Sequence, residues 1–349
     1  MPSLQSIAQR LVEGIQAQPG EVIQIADRTG RTDLLYELFL TLELAGATPI
    51  LDIEPPTFTR WLLTEATADE LVRFGRHRVT SMQRADREIT LSGGVIDLAG
   101  VNPTRLAPWR AIDEEVTAIE EGRQLPILSV AIPTAAQAAH LGMTLAELEE
   151  HLLPALAVSA AENQRLIDQT LAQVLGGQQI AIRSGQACVL TMQQGDRTWL
   201  TDDGVIDEAD RSRGAIVSNL PAGSIYTTVL EGETEGSLYV PRFHQATEVV
   251  LHFAQGRIVS IDAATGADEL VAWLDSHSGE PRRISHIGMG LNPALSKPVG
   301  WTLVDEHILG ALFVALGENR YMGGENAASL NYDLALLNAT LEVAGRVIR

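Results

Sequence analysis

The start of the chain alternates between helical and extended patterns of apolar positions. Leu4, Ile7, Leu11 and Ile15 recur at helical spacing, and Pro19-Gly20 ends the pattern. The pattern predicts, in order, a helix over residues 4–18, a strand over 21–26, a helix over 33–44 capped by Thr32, and a strand over 47–53. Helix, strand, helix and strand with short connections are typical of a parallel sheet covered by helices.

The same pattern continues as far as a pair of glycines, Gly176-Gly177. Strands are predicted over residues 94–98 and 125–132, with helical stretches between them. Thr144 and Glu147 form the sequence signature of a capping box, which predicts the start of a helical region running to about Val174. We therefore expect an α/β N-terminal domain with a parallel sheet over residues 1–176.

Beyond these glycines, short alternating segments replace the helical pattern. Strands are predicted over residues 179–183, 188–193, 198–201, 237–240, 247–253 and 257–263, and a helix over 268–275. Turn residues such as Asp202-Asp203-Gly204 separate them. The prediction for residues 177–349 is a β-rich α+β C-terminal domain that carries the functional site.

Composition narrows the class of protein. The 349 residues are 45% hydrophobic and 20% charged, as in an ordinary globular protein with a large core, and no run of eighteen apolar residues predicts a membrane span. The first residues lack the pattern of a secretory signal, and the single cysteine, Cys188, excludes an internal disulfide. We expect a cytoplasmic protein.

Charge and glycine patterns exclude further classes. A net charge of −20 argues against a nucleic-acid partner, because phosphate binding needs clustered lysine and arginine. Lys297 is the only lysine, which leaves little room for Schiff-base chemistry. Neither G-x-G-x-x-G nor G-x-x-x-x-G-K-[ST] occurs, so nucleotide binding has no support in the sequence.

Glycines, carboxylates and histidines concentrate between Ser285 and Asp333. Such a segment is suited to a site, because glycine permits tight turns and close approach. Here and elsewhere the chain resembles the aminopeptidase T-like family of metallo-aminopeptidases (leucyl aminopeptidase-like), and equally its relatives, the 2,5-dihydroxypyridine ring-cleaving dioxygenases. The resemblance rests on residues 130–134, 141–143, 198–199, 202–204, 218–223, 288–293, 305–306, 315–317 and 323–324, in an order that covers nearly the whole chain.

The family's metal ligands are only partly matched. The resemblance implies two metals held by glutamates, a histidine and a closing His-x-Asp; at the matching positions this chain has Ser224, His286, Phe313 and Asn331-Tyr332-Asp333. Phenylalanine cannot bind a metal and a serine hydroxyl is a weak ligand for zinc, so a standard dinuclear zinc site is not expected. On the dioxygenase pattern His286 and Asp333 survive and Asn331 replaces the second histidine.

His286, Asn331 and Asp333 are therefore the candidate metal ligands. The expected cofactor is one weakly bound divalent ion, zinc or iron, with the absence of any metal as the alternative. Glu306 and Tyr321 are candidate catalytic residues, Glu306 as a general acid or base. Candidate substrate contacts are Ser224, Trp301 and Tyr332; for the two aromatic residues, core packing is the competing interpretation.

Three functions follow. The chain is a hydrolase of peptide N-termini or small amides with an altered site, a mononuclear iron ring-cleaving enzyme, or a non-catalytic protein that binds a peptide or small molecule. The resemblance also implies a homodimer. Because Asp333 lies in an apolar segment, its charge needs a partner, and His286 is expected within hydrogen-bonding or water-bridged reach.

Overall fold

The computed structural model describes residues 2–348, which divide into two compact units. The first unit comprises the chain up to Ala160 together with Gly204–Ala222. The second unit comprises Ala161–Asp203 and the chain from Gly223 onward. Each unit has its own sheet structure and is described separately.

The helices and strands alternate early in the chain, and strands dominate later. The α-helices are α1 (Leu4–Ile15), α2 (Thr32–Leu44), α3 (Pro56–Thr64), α4 (Ala68–Arg84), α5 (Leu106–Arg123), α6 (Ala135–His140), α7 (Leu145–Leu156), α8 (Ala160–Val174), α9 (Glu208–Ser212), α10 (Ala267–Asp275) and α11 (Thr302–Asp305). The strands are β1 (Val22–Asp27), β2 (Thr48–Ile53), β3 (Arg87–Ser92), β4 (Ile127–Ala131), β5 (Gln179–Ser184), β6 (Cys188–Gln193), β7 (Leu200–Asp202), β8 (Val217–Leu220), β9 (Ser224–Thr228), β10 (Glu235–Phe243), β11 (Ala246–Ala254), β12 (Arg257–Asp262), β13 (Ile284–Gly290), β14 (Leu312–Gly317), β15 (Asn331–Leu336), β16 (Thr340–Val343) and β17 (Arg346–Val347).

The first unit is built on a five-stranded sheet in the order β2-β1-β3-β4-β8, in which all neighbours are parallel. Ile23, Ile25 and Ile89 are fully buried, as expected when helices cover a parallel sheet. Ile7 and Leu11 of helix α1 are buried and pack in this core. The predicted α/β class of the N-terminal region is confirmed.

Local sequence signals predict the start of α7 correctly and the cap of α2 wrongly. The capping box of Thr144 and Glu147 is present at the start of α7 and confirms the prediction. The prediction that Thr32 caps α2 is wrong, because Thr32 is already helical and the cap position is Arg31, without a side-chain bond. The Asp27 carboxylate accepts the backbone N–H of Thr29 and orders the preceding turn instead.

The strand expected at residues 94–98 lies earlier, as β3. The chain leaves the sheet after Ser92, and Gly94 approaches the Arg28 carbonyl so closely that a Cβ there would lie 1.9 Å from that oxygen. The helical region predicted to about Val174 is likewise two helices, α7 and α8, interrupted at residues 157–159. Apolar periodicity indicated the elements but not these breaks.

The units divide at Ala160 rather than after Gly176. The helix α8 packs Ile167 and Val174 into the core of the second unit, so it belongs there. Residues 204–222 return to the first unit, because β8 pairs with β4 at the edge of the parallel sheet. The predicted boundary after Gly176 rested on a change in composition along the chain. Composition does not indicate that a later segment, residues 204–222, belongs to the first unit.

The second unit contains two antiparallel sheets. One has seven strands in the order β12-β11-β10-β6-β5-β16-β17, and the other has five in the order β15-β14-β13-β9-β7. Their inner faces form one core, to which Phe243, Ile284 and Leu316 contribute. The β-rich class is confirmed. Within residues 2–348, no helix has the length and apolarity needed to cross a membrane.

Candidate functional site

His286 and Asp333 meet on the five-stranded sheet of the second unit, between its central strand and one edge strand. His286 lies on β13 and Asp333 on β15, with β14 between them. Their side chains form a pair in which Nε2 of His286 lies 3.0 Å from Oδ1 of Asp333. Both are largely buried, with 7% and 18% of the side-chain surface exposed. The prediction that the two side chains lie within reach of each other is confirmed.

A small residue on β14 permits this pair to form. Asp333 pairs directly with Ala315, so the two side chains share a face of the sheet. The register of β13 against β14 shifts between Ile284 and Ile287, a bulge that includes His286. His286 and Asp333 therefore meet across β14 over the buried methyl group of Ala315.

Aromatic rings flank the histidine. The ring of Phe313 lies edge-on to His286 at 5.9 Å between centroids, and the ring of Tyr226 does so at 6.2 Å. Phe313 reaches this position because Gly288 leaves room for it: a Cβ at Gly288 would lie 2.0 Å from the Phe313 ring. The glycine-rich strand thus places apolar walls next to the polar pair.

Hydrogen bonds fix the orientation of the imidazole. The Ser285 hydroxyl donates to the Glu318 carbonyl at 2.9 Å, so its oxygen accepts a hydrogen bond from Nδ1–H of His286, also at 2.9 Å. The other ring nitrogen faces the Asp333 carboxylate. The contact between Nε2 and Oδ1 of Asp333 at 3.0 Å is a close polar contact and not an aligned hydrogen bond, because Oδ1 has no hydrogen-bond partner among the described residues. The hydrogen bond with Ser285 therefore orients the ring so that Nε2 lies against the Asp333 carboxylate.

Glu306 extends the site with further negative charge. Burial raises the pKa of Glu306, the charges of Asp333 and Asp202 raise it further, and the neighbouring His307 opposes them. Nε2 of His307 lies 3.5 Å from Oε1 of Glu306. Burial lowers the pKa of His307, but Glu306 and Asp202 outweigh it and raise the pKa. Three carboxylates and two histidines therefore share one largely buried region.

Two more predicted site residues lie beside this cluster. The Asn331 amide donates to the Tyr321 hydroxyl at 2.9 Å. Desolvation of the Tyr321 hydroxyl raises its pKa to about 12, and the charges of Asp333 and Glu306 act in the same direction. Tyr321 therefore keeps its proton at neutral pH and has a hydrogen bond to donate.

The predicted substrate contacts occupy different surroundings. Ser224 is buried on β9, opposite Gly290. Trp301 is partly exposed and immediately precedes α11. Tyr332 follows the alternation of β15, so its ring lies on the face opposite Asp333, stacked on Phe243 at 5.3 Å. The role of these three residues in binding substrate stays a prediction.

Sequence reasoning did not single out His307, Asp202 or Ser285. His307 is adjacent to Glu306, and a histidine next to a candidate acid is a signal in the sequence that could have been used. Asp202 lies in the Asp-Asp-Gly turn that contributes to the resemblance. Ser285 gave no signal, because its contact with His286 depends on the bulge in β13.

The donor set does not fit a two-metal centre. Phe313 and Ser224 occupy two of the positions at which ligands are expected, and Phe313 is part of the apolar wall. In the part of the chain that the structure describes, no three His, Cys, Asp or Glu side chains are arranged to hold one metal ion. A closely spaced metal pair requires anionic ligands to offset its charge.

Comparison with known proteins decides the family. The model of the thermophilic metalloprotease (M29) family matches residues 2–333. The chain belongs to the M29 family. M29 is a family of metalloproteases. A search of curated protein sequences gave no significant match.

Two solved structures share the M29 fold seen here. Wild-type AmpT from Thermus thermophilus superposes with a TM-score of 0.73 at 16% sequence identity, covering 97% of this chain and 94% of that one. The 2,5-dihydroxypyridine dioxygenase from Pseudomonas putida KT2440 gives a TM-score of 0.63 at 14% identity, covering 99% and 96%. Both resemblances were expected from the sequence, and at these identities they establish the fold.

Proposed function

We propose that the second unit binds the free amine of a peptide N-terminus or of a small amide, without a dinuclear zinc site. The observation that carries the proposal is the gathering of Asp202, Glu306 and Asp333 in one largely buried region, where burial and the charges of Asp333 and Asp202 raise the pKa of Glu306. Carboxylates placed together in a largely buried region favour a cation, because a positive charge offsets both their repulsion and their desolvation. A substrate ammonium supplies that charge.

The remaining residues shape the site around this amine. His286 is oriented by Ser285 and lies against Asp333, and Phe313 and Tyr226 supply apolar surface beside it. We propose Glu306 as the group that accepts or returns a proton, because its pKa is raised by burial and by the nearby carboxylates. Because two of the family's ligand positions hold Ser224 and Phe313, we expect cleavage of leucyl substrates to be absent or very weak.

A mononuclear metal enzyme is the second candidate function. The separation of 3.0 Å between Nε2 of His286 and Oδ1 of Asp333 also suits two ligands that each lie roughly 2.0–2.2 Å from one ion. The Asn331 carbonyl oxygen would be the third, weaker ligand, on zinc or iron. Such an ion acts as a Lewis acid toward a substrate oxygen. A ring-cleaving activity like that of the structural neighbour belongs to this candidate.

Binding of a blocked and an unblocked amide tests the amine proposal. Titration calorimetry with leucinamide and N-acetyl-leucinamide should detect binding of the first alone, because acetylation removes the positive charge. Asp333→Asn and Glu306→Gln should each weaken leucinamide binding by about tenfold, or 1.4 kcal/mol. The matched control is Asp262→Asn, which alters a His–Asp pair on the surface, with Oδ2 of Asp262 2.8 Å from Nε2 of His252.

The possible results separate the candidates. Equal binding of the acetylated and free amides contradicts amine recognition. One iron or zinc ion per chain in protein purified without chelators, lost in Asp333→Ala, supports the second candidate. A protein that binds leucinamide but cleaves no leucyl substrate is the non-catalytic member anticipated from the sequence.

Assembly and location complete the proposal. We propose a homodimer, since α2 exposes an apolar stripe of Tyr36, Leu40 and Leu44 at 70%, 44% and 80% exposure, spaced four residues apart along one face. We also propose a cytoplasmic location, on the ground that the single cysteine suits a reducing compartment. The partner is a peptide or small molecule, and the net charge of −20 argues against nucleic acid.

A further inference from the structure

A cavity of about 260 Å³ lies in the first unit, separate from the residues of the proposed amide site. It opens at the carboxyl ends of the parallel strands: Arg28 directly follows β1, Glu54 directly follows β2, and Gly94 lies two residues beyond β3. The chain runs from β1 outward to β2 and then returns to the other side of β1 as β3. In open parallel sheets, ligands bind outside the strand ends at such a reversal of strand order.

Two arginines face one buried carboxylate in this cavity. Oε2 of Glu54 lies 3.7 Å from an Arg28 nitrogen and 3.7 Å from Nε of Arg78, too far for hydrogen bonds. Glu54 is 3% exposed, and Nε of Arg78 is buried without a hydrogen-bond partner among the described residues. Both arginines therefore lie close to the carboxylate, and Arg78 has a buried N–H left to donate.

Neighbouring groups hold the arginines in place. Arg28 donates to the Asp52 carboxylate at 2.7 Å, and His77 contacts the other oxygen of Asp52 at 2.8 Å. Arg78 donates to Asp113 at 2.6 Å, and its guanidinium lies 5.5 Å from the centroid of the Trp109 ring. The charged groups are thus preorganised and need little rearrangement to receive a ligand.

The remaining walls are apolar. Trp109, Ile96 and Pro56 line the cavity beside the charged groups. The charges on the lining balance, with Arg28 and Arg78 against Glu54 and Asp113. A simple anion would meet the two carboxylates, and a simple cation would meet the two arginines. The balance favours a ligand that carries one charge of each sign next to an apolar group.

We propose that this cavity binds a free apolar α-amino acid as its zwitterion. The ligand carboxylate is recognised by Arg78 and Arg28, which suit planar carboxylates. Its ammonium group is recognised by Glu54 and Asp113, and its side chain lies against Trp109 and Ile96. The inference does not depend on the amide site of the second unit, which lacks this pairing of arginines with carboxylates.

Three ligands test the proposal without any variant. Calorimetric titration of the full-length protein should detect binding of L-leucine. Of the two analogues, N-acetyl-L-leucine lacks the ammonium group and leucinamide lacks the carboxylate. Neither of these two should bind in the first unit. Equal binding of L-leucine and N-acetyl-L-leucine overturns the zwitterion assignment, and the absence of saturable L-leucine binding overturns the site itself.

Variants then locate the binding. Arg78→Gln should weaken L-leucine binding by at least about tenfold, or 1.4 kcal/mol. The matched control is Arg76→Gln, on the same helix, where Arg76 pairs with exposed Glu115 at 2.8 Å outside the cavity. Trp109→Ala, which removes part of the apolar wall, should also weaken L-leucine binding, and it serves as the test if Arg78→Gln fails to fold. Unchanged L-leucine binding in folded Arg78→Gln, or in Trp109→Ala, contradicts the proposal.

Measuring the binding of both ligands to both variants distinguishes the two sites. Asp333→Asn should leave L-leucine binding unchanged, and Arg78→Gln should leave leucinamide binding unchanged. Loss of L-leucine binding in Asp333→Asn places the amino acid in the second unit and overturns the inference. Failure of leucinamide to bind contradicts only the proposed function.

Discussion

At the scale of single residues, Glu88 couples the stability of the first unit to pH. It lies on β3 and is 5% exposed, and burial raises its pKa to about 7. Hydrogen bonds from Gln24 and Thr90 favour the ionised form but do not offset the burial. In the unfolded chain the carboxyl returns to its ordinary pKa of 4.5, so the folded state holds the proton more tightly.

Glu88→Gln should therefore remove a pH-dependent loss of stability. The folded protein binds more protons than the unfolded chain between pH 4.5 and about 7, so the contribution of Glu88 to the free energy of unfolding falls as pH rises through that window. Urea unfolding at pH 5 and pH 8 should show the variant gaining on the wild type by on the order of 2–3 kcal/mol at the higher pH.

The control for this prediction is Glu43→Gln, at an exposed position on α2. It should leave the pH dependence of unfolding unchanged. A Glu88→Gln variant whose stability keeps a constant offset from the wild type at both pH values would show that Glu88 is ionised to the same extent in the folded and unfolded chains.

The sequence identified two of the central site residues and missed others. His286 and Asp333 were predicted as partners because a carboxylate in an apolar segment needs a compensating charge, and the pair is present at 3.0 Å. His307 was left aside although it lies next to Glu306. Its burial, which makes it part of the site, depends on tertiary packing that residue patterns do not encode.

At the scale of elements, β14 sets the distance between the two strands that carry the site. Ala315 pairs with Asp333 on β14, and we expect a side chain larger than its methyl group to clash with the His286–Asp333 pair. Ala315→Leu should separate the pair, weaken leucinamide binding by about tenfold, and cost roughly 1–3 kcal/mol of stability through overpacking.

Ala315→Gly is the matched control for this steric argument. It should keep leucinamide binding and lose only about 1 kcal/mol, since glycine in a strand has more unfolded-state entropy to lose. Calorimetry of the two variants measures leucinamide binding, and urea unfolding measures their stability. Equal loss of binding in both would mean that the methyl group, rather than the space above it, supports the site.

Apolar periodicity predicted the parallel sheet of the first unit and the antiparallel strands of the second. It predicted a strand at residues 94–98, whereas the structure has the strand earlier, as β3, and leaves the sheet before Gly94. The close approach of Gly94 to Arg28 is a tertiary contact that the pattern does not indicate. It also gave no indication of the bulge between Ile284 and Ile287, which depends on pairing with β14. The meeting of His286 and Asp333 across an intervening strand therefore required the structure.

At the scale of the whole molecule, we predict a dimer held through α2. Light scattering at micromolar concentration should give twice the chain mass of 37.6 kDa, about 75 kDa. Leu40→Glu combined with Leu44→Glu should shift the mass to that of one chain, because buried charges without partners oppose association. Val259→Glu, at a position 62% exposed in the second unit, is the control and should remain dimeric.

A single-chain mass for the wild-type protein at that concentration contradicts the dimer. If the protein with both glutamate substitutions is still a dimer, α2 does not form the dimer interface and another surface does.

The central claim is that this M29 member recognises a substrate amine with carboxylates and does not need a metal pair. The most direct measurement is calorimetric titration of leucinamide into protein stripped of metal by a chelator and dialysed, compared with the same protein after addition of zinc. We predict the same affinity for leucinamide in both preparations, and an affinity about tenfold lower in Asp333→Asn. Binding that appears only after two zinc ions per chain are restored would contradict the account.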